Sequence, residues 1–340
     1  MTPSNVLTGA AIAFSVSAVL SFALARSTWS SWPRDVPNER SLHKAPTPRT
    51  GGLAILLGLV TALDATLGRP EGPALWICAA TGVLALVSFV DDRKGLPVGV
   101  RLLAQVLAAA AAVWGAGLAA PRAWLPFLGD VAFGVLAAPL SFLGLLWLTN
   151  LYNFMDGMDG FAGSMTAIGG AFLGLALLRG GAAGAASPAF FLAAASAGFL
   201  LWNRPPARIF MGDVGAVPIG FLVGCLGLAG AATGAFDPAV PLLCFAPFVL
   251  DATATLFQRL LRGERVWQAH RSHYYQRLVL AGWTHGRTLR AETVLMALSG
   301  AAALAWQGAA GSGRAVLLAS VAALFGVCAA GVRRVALRAL

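Results

Sequence analysis

Charged residues are scarce in this 340-residue chain, where Asp, Glu, Lys and Arg together make up 11%. There is no long polar stretch that would form a separate water-soluble domain, and no charge-rich tail. The four cysteines all lie inside apolar runs and form no CxxC pair, which excludes a disulfide framework and a cysteine metal site. No Lys or Arg precedes the first apolar run, so residues 6–25 are predicted to be a retained span rather than a cleaved signal peptide.

Hydrophobic residues dominate instead, at 58% of the chain, with a mean hydropathy of +0.75. Apolar runs near the ~20 residues that cross a bilayer predict about eleven transmembrane helices. These runs are 6–25, 51–68, 74–90, 102–120, 131–149, 161–178, 188–202, 216–233, 239–261, 291–309 and 315–332. We therefore expect an all-α, polytopic protein of the lipid bilayer that forms one domain over residues 1–340.

The Lys and Arg residues predict which ends of these spans face the cytoplasm. Twenty of the 24 lie in alternate loops and the C-terminal segment, against four on the other side. Cytoplasmic loops carry the excess of positive charge in membrane proteins, so the twenty are predicted to be cytoplasmic. Topology and attraction to anionic lipid would by themselves explain most of these cations.

Acidic residues gather on the same predicted face. Asp91 and Asp92 end the third span, Asp156 and Asp159 follow the fifth, and Asp213 precedes the eighth. Carboxylates at or near membrane depth are rare and usually mark a site for ions or substrate. Because five carboxylates on one face repel one another unless cations lie between them, the sequence predicts a place for a metal ion together with anions.

Asn153 and Asp213 are the predicted metal ligands. Asn153 lies near a helix end that opens into a Gly-containing loop, and Asp213 lies in the loop Phe210-Met-Gly-Asp-Val-Gly. Oxygen ligands of this kind, completed by phosphate oxygens and waters, suit Mg²⁺ or Mn²⁺ rather than Zn²⁺. A simpler interpretation is that Asp213 caps the N-terminus of the following helix.

Asp91 and Asp92 cannot both face such a site, because adjacent helical residues point about 100° apart. The other carboxylate is expected to pair with Arg93, Lys94 or Arg101.

A basic segment, His270-Arg271-Ser272-His273, lies in the last predicted cytoplasmic loop. It has too few ligands for zinc, and two imidazoles flanking a guanidinium suit recognition of phosphate or sugar hydroxyls better. A basic loop at the membrane surface is the plainer alternative. The role of Asp251, inside the ninth span, stays open between pairing with a helix-end cation and lining the site.

Taken in order, these motifs resemble the polyprenyl-phosphate N-acetylhexosamine-1-phosphate transferase family, glycosyltransferase family 4, in its bacterial branch that primes surface polysaccharides. The motifs that carry the resemblance are His43-Lys44-x-Pro46-x-Pro48-Arg49-x-Gly51-Gly52, Asp91-Asp92 with Arg101-Leu-Leu-Ala-Gln105, Asn150-x-x-Asn153-x-x-Asp156-Gly-x-Asp159-Gly, Phe210-Met-Gly-Asp213-x-Gly215, and the loop from His270 to Trp283. They extend from residue 40 to residue 285, and their order is far more specific than any one of them.

The resemblance implies transfer of a sugar-1-phosphate from a UDP-N-acetylamino sugar to undecaprenyl phosphate, with release of UMP, at the bacterial inner membrane. Mg²⁺ would be the cofactor, and no nucleic acid would take part. The roles implied are metal binding by Asn153 and Asp213, catalysis by Asp91, Asp92 and Asp156, and substrate binding by Lys44, Arg101, Asp159, Phe210, His270, Arg271 and His273. Within these, Phe210 would stack on uracil, Asp159 would bond its edge, and Asp91 and Asp92 would lie near the lipid phosphate as base or positioning groups.

Two other functions are weighed against this one. The peptidoglycan-precursor branch of the family acts on UDP-N-acetylmuramoyl-pentapeptide, but it carries three consecutive histidines where this chain has His270-Arg-Ser-His273. A secondary transporter usually places its carboxylates near mid-bilayer within repeated halves, and neither feature is evident here. The sequence does not indicate the oligomeric state, and a homodimer is compatible with it.

Overall fold

The computed structural model of the protein describes residues 3–27, 32–35, 46–265 and 270–338. Lys44, a predicted substrate-binding residue, and His43 of the same motif lie outside the described residues.

Helices make up most of the described structure and strands very little of it, in agreement with the all-α prediction. In chain order they are α1 (Pro3–Ala25), α2 (Gly51–Leu67), α3 (Pro73–Lys94), α4 (Val98–Ala110), α5 (Ala137–Met155), α6 (Phe161–Arg179), α7 (Ala183–Asn203), α8 (Asp213–Ala232), α9 (Ala239–Cys244), α10 (Ala246–Leu261), α11 (Tyr274–Leu280), α12 (His285–Gly308) and α13 (Ser312–Arg338). A π-helical turn, Ala111–Gly115, continues α4, and a 3-10 turn, Gly134–Leu136, precedes α5.

Two short antiparallel strand pairs, not predicted from the sequence, accompany the helices. Strands β1 (Arg34–Asp35) and β2 (Thr47–Pro48) pair beside the start of α2. Strands β3 (Arg122–Leu125) and β4 (Gly129–Ala132) form a hairpin between α4 and α5.

Burial is greatest in α8, which buries 14 of its 20 residues, whereas α13 buries none of its 27. Helices α2, α3 and α5 pack against α8, while α1, α2 and α6 pack against α7. Leu, Val and Phe side chains project from the outer helices, as expected for surfaces that face lipid. Small residues allow the closest approaches: a Cβ added to Gly52 of α2 would lie 2.1 Å from the Cα of Gly215 in α8.

Eight helices in the described part of the chain are long and apolar enough to cross a membrane, and α2 is apolar but only 17 residues long. Helices coincide with every predicted span, yet the count of eleven remains a prediction. The predicted span 239–261 is divided at Phe245 into α9 and α10. The predicted short span 188–202 is a full helix of 21 residues that begins five residues earlier and includes Pro188.

The loops that join the helices gather at two opposite ends of the bundle. We call the end with the 46–50, 95–97, 156–160, 204–212, 262–265 and 270–284 segments the carboxylate end, because it carries Asp92, Asp156 and Asp213. The other, with the β3–β4 hairpin and the 233–238 and 309–311 loops, is the hairpin end. The predicted acidic and basic motifs within the described residues thus meet at one end of the helices.

Candidate active site

The N-terminus of α8 is the point on which the carboxylate end converges. Gly212 precedes the helix with φ of +72°, in the left-handed region that favours glycine. A Cβ at this position would lie 2.3 Å from the carbonyl oxygen of Arg49 and 2.9 Å from Oδ2 of Asp92. Only glycine therefore lets these two segments approach the start of α8 so closely.

Asp92 reaches this helix start from the end of α3. The Val214 backbone N–H donates to Asp92 Oδ2 at 3.0 Å, and the Asp92 side chain is 1% exposed. An anion is favoured at a helix N-terminus by the unpaired N–H groups and the helix dipole. The Asp92 carboxylate, from α3, thus caps the N-terminus of α8. Asp213 is itself the first residue of α8.

Arg49 lies between the carboxylates of Asp92 and Asp213. Its Nε is 3.6 Å from Asp92 Oδ1, and its Nη2 is 3.5 Å from Asp213 Oδ1. Burial opposes the guanidinium charge, but the attraction of both carboxylates outweighs it and raises the pKa of Arg49. Arg49 is therefore a fixed positive charge within the acidic cluster.

The two predicted metal ligands lie side by side. Nδ2 of Asn153, in the last turn of α5, donates to Oδ2 of Asp213 at 3.5 Å. The predicted span ended at residue 149, but α5 continues to Met155, which carries the Asn153 side chain to the same end as Asp213. The pairing is as expected from the sequence, and the metal-binding role stays a prediction.

Asp156 follows directly after α5. Burial, together with the nearby negative charges of Asp213 and Asp92, raises the pKa of Asp156 to about 7 even though Arg49 opposes the shift. Without a further cation, the Asp156 carboxyl is therefore partly protonated near neutral pH. The structure thus brings the predicted catalytic residues Asp92 and Asp156 to one place together with Asp213.

Asp91, the other predicted member of the doublet, is directed elsewhere. Its Oδ2 accepts a hydrogen bond from Arg101 Nη1 at 3.0 Å, and its other oxygen accepts from the Leu96 N–H. This ion pair is one of the three pairings expected for whichever aspartate does not face the site. Arg101 is 38% exposed in its side chain, and its predicted contact with the diphosphate stays a prediction.

Asp159 is held in a second polar cluster at the same end. Its Oδ2 accepts from the Ala207 N–H at 3.1 Å and lies 3.1 Å from His285 Nδ1, and the residue is 8% exposed. Phe210 belongs to the neighbouring segment, and its backbone pairs with Pro48 and Gly51. The predicted contacts of Asp159 and Phe210 with uracil remain predictions.

The position of Asp251, which the sequence left open, is now clear. Asp251 Oδ1 lies 3.1 Å from His273 Nδ1 and accepts from the Tyr274 N–H at 3.0 Å. Its Oδ2 accepts from the Tyr275 N–H at 3.3 Å, and the Thr255 hydroxyl donates to Oδ1 at 3.0 Å. Asp251 therefore anchors the start of α11 and orients His273, which is 2% exposed.

The other two residues of the basic segment differ in environment. His270 is half-buried, its Nδ1 lies 2.9 Å from Ser272 Oγ, and burial with nearby His273 and Arg259 lowers its pKa to about 4. His270 is thus neutral at pH 7 and offers hydrogen bonding rather than charge. Arg271 is exposed. Substrate binding by His270, Arg271 and His273 stays a prediction.

Three functional candidates had no role assigned from the sequence: Arg49, His285 and Tyr275. Arg49 stands beside the Gly51-Gly52 pair that contacts α8, which is the signal that could have identified it. The Tyr275 ring is fully buried, and its hydroxyl has no hydrogen-bond partner among the described residues. A Cβ on Gly157 would lie 2.2 Å from that hydroxyl, so the Tyr275 side chain packs directly against the 156–160 loop.

The cluster fits a hard divalent cation that takes few protein ligands. No group of three or more His, Cys, Asp or Glu residues in the described ranges has the geometry of a metal site made by protein alone. Mg²⁺ commonly binds through one or two carboxylates and completes its octahedron with waters and substrate phosphates. Asp213 and the Asn153 amide oxygen supply that kind of partial set, with Asp92 and Asp156 nearby.

The fold and this site define an α-helical integral membrane protein with a cluster of carboxylates around one guanidinium at one end of its bundle. The profile of Glycosyl transferase family 4 matches residues 74–231. The chain is 30% identical over 254 residues, 74% of its length, to a probable undecaprenyl-phosphate N-acetylglucosaminyl 1-phosphate transferase of Bacillus subtilis, of which 71% is covered. The protein belongs to this family of polyprenyl-phosphate N-acetylhexosamine-1-phosphate transferases, in agreement with the resemblance seen in its motifs.

Two further relatives show the range of the similarity. A decaprenyl-phosphate N-acetylglucosaminephosphotransferase of Mycobacterium tuberculosis is 32% identical over 294 residues, covering 74% of this chain and 70% of the relative. A phospho-N-acetylmuramoyl-pentapeptide-transferase of Clostridium perfringens is 26% identical over 268 residues, covering 75% and 82%.

Proposed function

We propose that this protein transfers an N-acetylamino-sugar-1-phosphate from a UDP-sugar to undecaprenyl phosphate, releasing UMP and forming the lipid-diphosphate sugar that begins polysaccharide synthesis. The proposal includes Mg²⁺ dependence, with Mn²⁺ as a substitute, and an active site on the cytoplasmic face of the bacterial inner membrane. The lipid-diphosphate sugar would start the synthesis of O-antigen or of a cell-wall polysaccharide.

The observation that carries the proposal is the convergence of Asp92, Asp156 and Asp213 around Arg49 at the start of α8. Three carboxylates and one guanidinium leave an excess of negative charge, which favours binding of a divalent cation. A helix N-terminus and a fixed guanidinium in turn favour phosphate. The same few residues therefore suit a metal-bridged diphosphate, and the named activities of the relatives are phosphotransfers of this class.

We propose that the lipid acceptor lies in an apolar groove near this cluster. A cavity of about 590 Å³ opens between α4, α5 and α10. Its lining includes Leu102, Leu143, Leu146, Trp147, Phe257 and Leu260. Asn150 and Phe154 also line it, and both lie on the α5 segment that carries Asn153. Burial of an isoprenoid chain in this groove would be favourable by about 25 cal/mol per Å² of apolar surface. A chain bound there would bring its phosphate toward the carboxylate end.

The chemistry joins two mutually repelling anions, so neutralisation of charge is the main requirement. Arg49 supplies a permanent positive charge there, and the α8 N-terminus supplies partial positive charge. A divalent cation held by Asp213 and Asn153 would neutralise phosphate oxygens and improve UMP as a leaving group. In this proposal Asp92 orients or deprotonates the lipid phosphate, whose second pKa of about 6 means that it is mostly deprotonated already at neutral pH. We therefore propose a single in-line displacement rather than a phosphorylated aspartate.

The preferred sugar donor is a simple UDP-N-acetylamino sugar. His273 is buried against Asp251, His270 is neutral, and only Arg271 of this segment is exposed, so the loop offers one exposed cation. The Bacillus subtilis and Mycobacterium tuberculosis relatives are both named for activities on N-acetylglucosamine, which supports the same preference. UDP-N-acetylmuramoyl-pentapeptide is the alternative donor, through the more distant relative.

The test uses the purified full chain in nanodiscs with undecaprenyl phosphate, Mg²⁺ and a panel of UDP-N-acetyl sugars, including the muramoyl-pentapeptide donor. We expect UMP and a lipid-linked sugar phosphate in equal amounts, only when donor and acceptor are both present. Accumulation of a labelled nucleotide sugar in proteoliposomes that lack acceptor lipid, with no UMP formed, would instead identify a transporter. Labelling of the protein by sugar phosphate without acceptor would contradict the single-displacement mechanism.

A further inference from the structure

The two carboxylate oxygens of Asp159 have different surroundings. Its Oδ2 accepts a hydrogen bond from the Ala207 N–H at 3.1 Å and lies 3.1 Å from His285 Nδ1. Its Oδ1 accepts no hydrogen bond from the described residues, and it does not belong to their fully buried, unpaired side-chain atoms, so it keeps accessible surface. One oxygen of Asp159 is therefore occupied, and the other can accept from a ligand.

His285 begins α12 and reaches Asp159 from outside the loop that carries this carboxylate. An ionised carboxylate only accepts hydrogen bonds, so Nδ1 is the nitrogen of the His285 ring that bears the hydrogen and donates. One turn further along the same face of α12, Leu289 packs against the loop: a Cβ added to Gly160 would lie 2.7 Å from Leu289 Cδ2. Helix packing therefore fixes the position of the His285 donor.

The backbone next to Asp159 is held independently of His285. Asn203, which ends α7 and is 4% exposed, accepts from the Gly160 N–H at 3.0 Å and donates to the Ile209 carbonyl at 2.8 Å. These two bonds join the loop of Asp159 to the loop that follows α7, but neither involves the Asp159 carboxylate, whose last side-chain torsion is soft. Loss of the histidine donor would therefore release the carboxylate without opening the loop.

A nucleotide whose diphosphate lies at the acidic cluster would bring its base close to Asp159. Three residues separate Asp156 from Asp159, so their Cα atoms are at most about 11 Å apart. Uracil presents an N–H at N3 between two carbonyl oxygens, whereas N3 of cytosine is an acceptor. A carboxylate oxygen held in one direction would accept from the uracil N–H and repel the cytosine nitrogen.

We propose that His285 is a positioning residue for recognition of the nucleotide base. By donating to Asp159 Oδ2, it directs Oδ1 at the uracil N3–H and so produces a preference for a uridine over a cytidine nucleotide. This inference rests on the proposed use of a UDP-sugar. His285 acts through Asp159 and not on the reacting phosphates, so its loss weakens base-selective binding and leaves the phosphotransfer step itself in place.

The experiment measures the binding of UDP and of CDP to the purified full chain in nanodiscs with Mg²⁺, by isothermal titration calorimetry. The wild-type chain is expected to bind UDP at least about tenfold more tightly than CDP, the effect of one hydrogen bond to a charged group. In His285→Ala this ratio should fall to about threefold or less. His285→Asn keeps a donor at the place of Nδ1, so its ratio should return to within about twofold of wild type.

Arg287→Ala is the matched control, because Arg287 lies in the same turn of α12 but packs over the Trp283 ring at 3.9 Å. It should keep the wild-type ratio of UDP to CDP affinity. At saturating UDP-sugar, the rate of UMP release by His285→Ala should stay within about threefold of wild type, while its KM for the UDP-sugar rises.

The outcomes separate this inference from the proposed function. A wild-type ratio in His285→Ala, or a ratio in His285→Asn as low as in His285→Ala, would overturn the role of His285 and leave the transferase proposal intact. A wild-type chain that binds neither nucleotide would overturn both.

Discussion

The aspartate doublet offers the sharpest test of the site, because two adjacent carboxylates have different surroundings. Asp92 is 1% exposed in its side chain, faces Arg49 at 3.6 Å and accepts the Val214 N–H. Asp91 pairs with Arg101, whose side chain is 38% exposed. We predict that Asp92→Asn lowers the turnover number by about 10²-fold or more, the lower range for removal of a positioned acid–base group, whereas Asp91→Asn does not.

The size of each effect follows from these contacts. Two unit charges about 4 Å apart interact by about 4 kcal/mol at an effective dielectric constant of about 20, so loss of the Asp92 charge changes the field at Arg49 and at the lipid phosphate substantially. An asparagine at this position still has a carbonyl oxygen for the Val214 N–H, so the fold should persist. The partly exposed Asp91–Arg101 pair contributes about 1 kcal/mol or less, which limits the expected change in rate to about fivefold.

Both variants are compared with the wild-type chain in nanodiscs, at saturating UDP-sugar and undecaprenyl phosphate, by the initial rate of UMP release. Thermal unfolding of each preparation provides the control for folding. A turnover number for Asp92→Asn within fivefold of wild type, combined with a large loss for Asp91→Asn, would refute the placement of Asp92 at the reacting groups.

Three further predictions concern the same cluster. Gly212→Ala should abolish UMP release, because the new Cβ would displace Arg49 or Asp92. Circular dichroism of the purified variant should still show a helical membrane protein. Near wild-type activity would contradict this geometry. The pKa of Asp156 is raised to about 7 from an ordinary 3.8, so the cation-free folded state binds more protons than the unfolded state and its thermal midpoint should fall as pH rises from about 4 to 7. Asp156→Asn should flatten this slope, and an unchanged slope would exclude Asp156 as its source. Removal of divalent cations by chelation should stop UMP release and readdition of Mg²⁺ should restore it; activity that survives exhaustive chelation would exclude the proposed cofactor.

Much of the site could be predicted from the sequence because its motifs occur where apolar runs end. The side of the membrane on which each loop lies follows from counting spans, so Asp91, Asp156 and Asp213 were placed at one end without any knowledge of packing. The separate roles of Asp91 and Asp92 were anticipated only as alternatives. Choosing between them required the contact of α3 with the start of α8, which is a tertiary property.

Long-range pairs could not be predicted for the same reason. Asp251 and His273 are joined across a helix end and a loop, and nothing local to either residue indicates the other. The break at Phe245 also escaped prediction, because residues 239–250 are apolar on both sides of it and hydropathy alone does not register a change of helix direction. The short β3–β4 hairpin was not predicted either: it lies almost wholly in the predicted loop between spans 102–120 and 131–149, and only the last two residues of β4 fall inside a predicted span.

The glycines and the carboxylates of this site depend on one another. Gly52 lets α2 approach α8, and Gly212 lets Asp92 and the Arg49 backbone approach the first turn of that helix. This compact arrangement places one guanidinium among three carboxylates, and burial then makes the uncompensated negative charge expensive. Protonation of Asp156 near pH 7 relieves part of that cost in the protein alone, and a divalent cation would relieve more of it. The close packing that excludes lipid from the helix end therefore also creates the demand for positive charge that a metal-bound diphosphate substrate would meet.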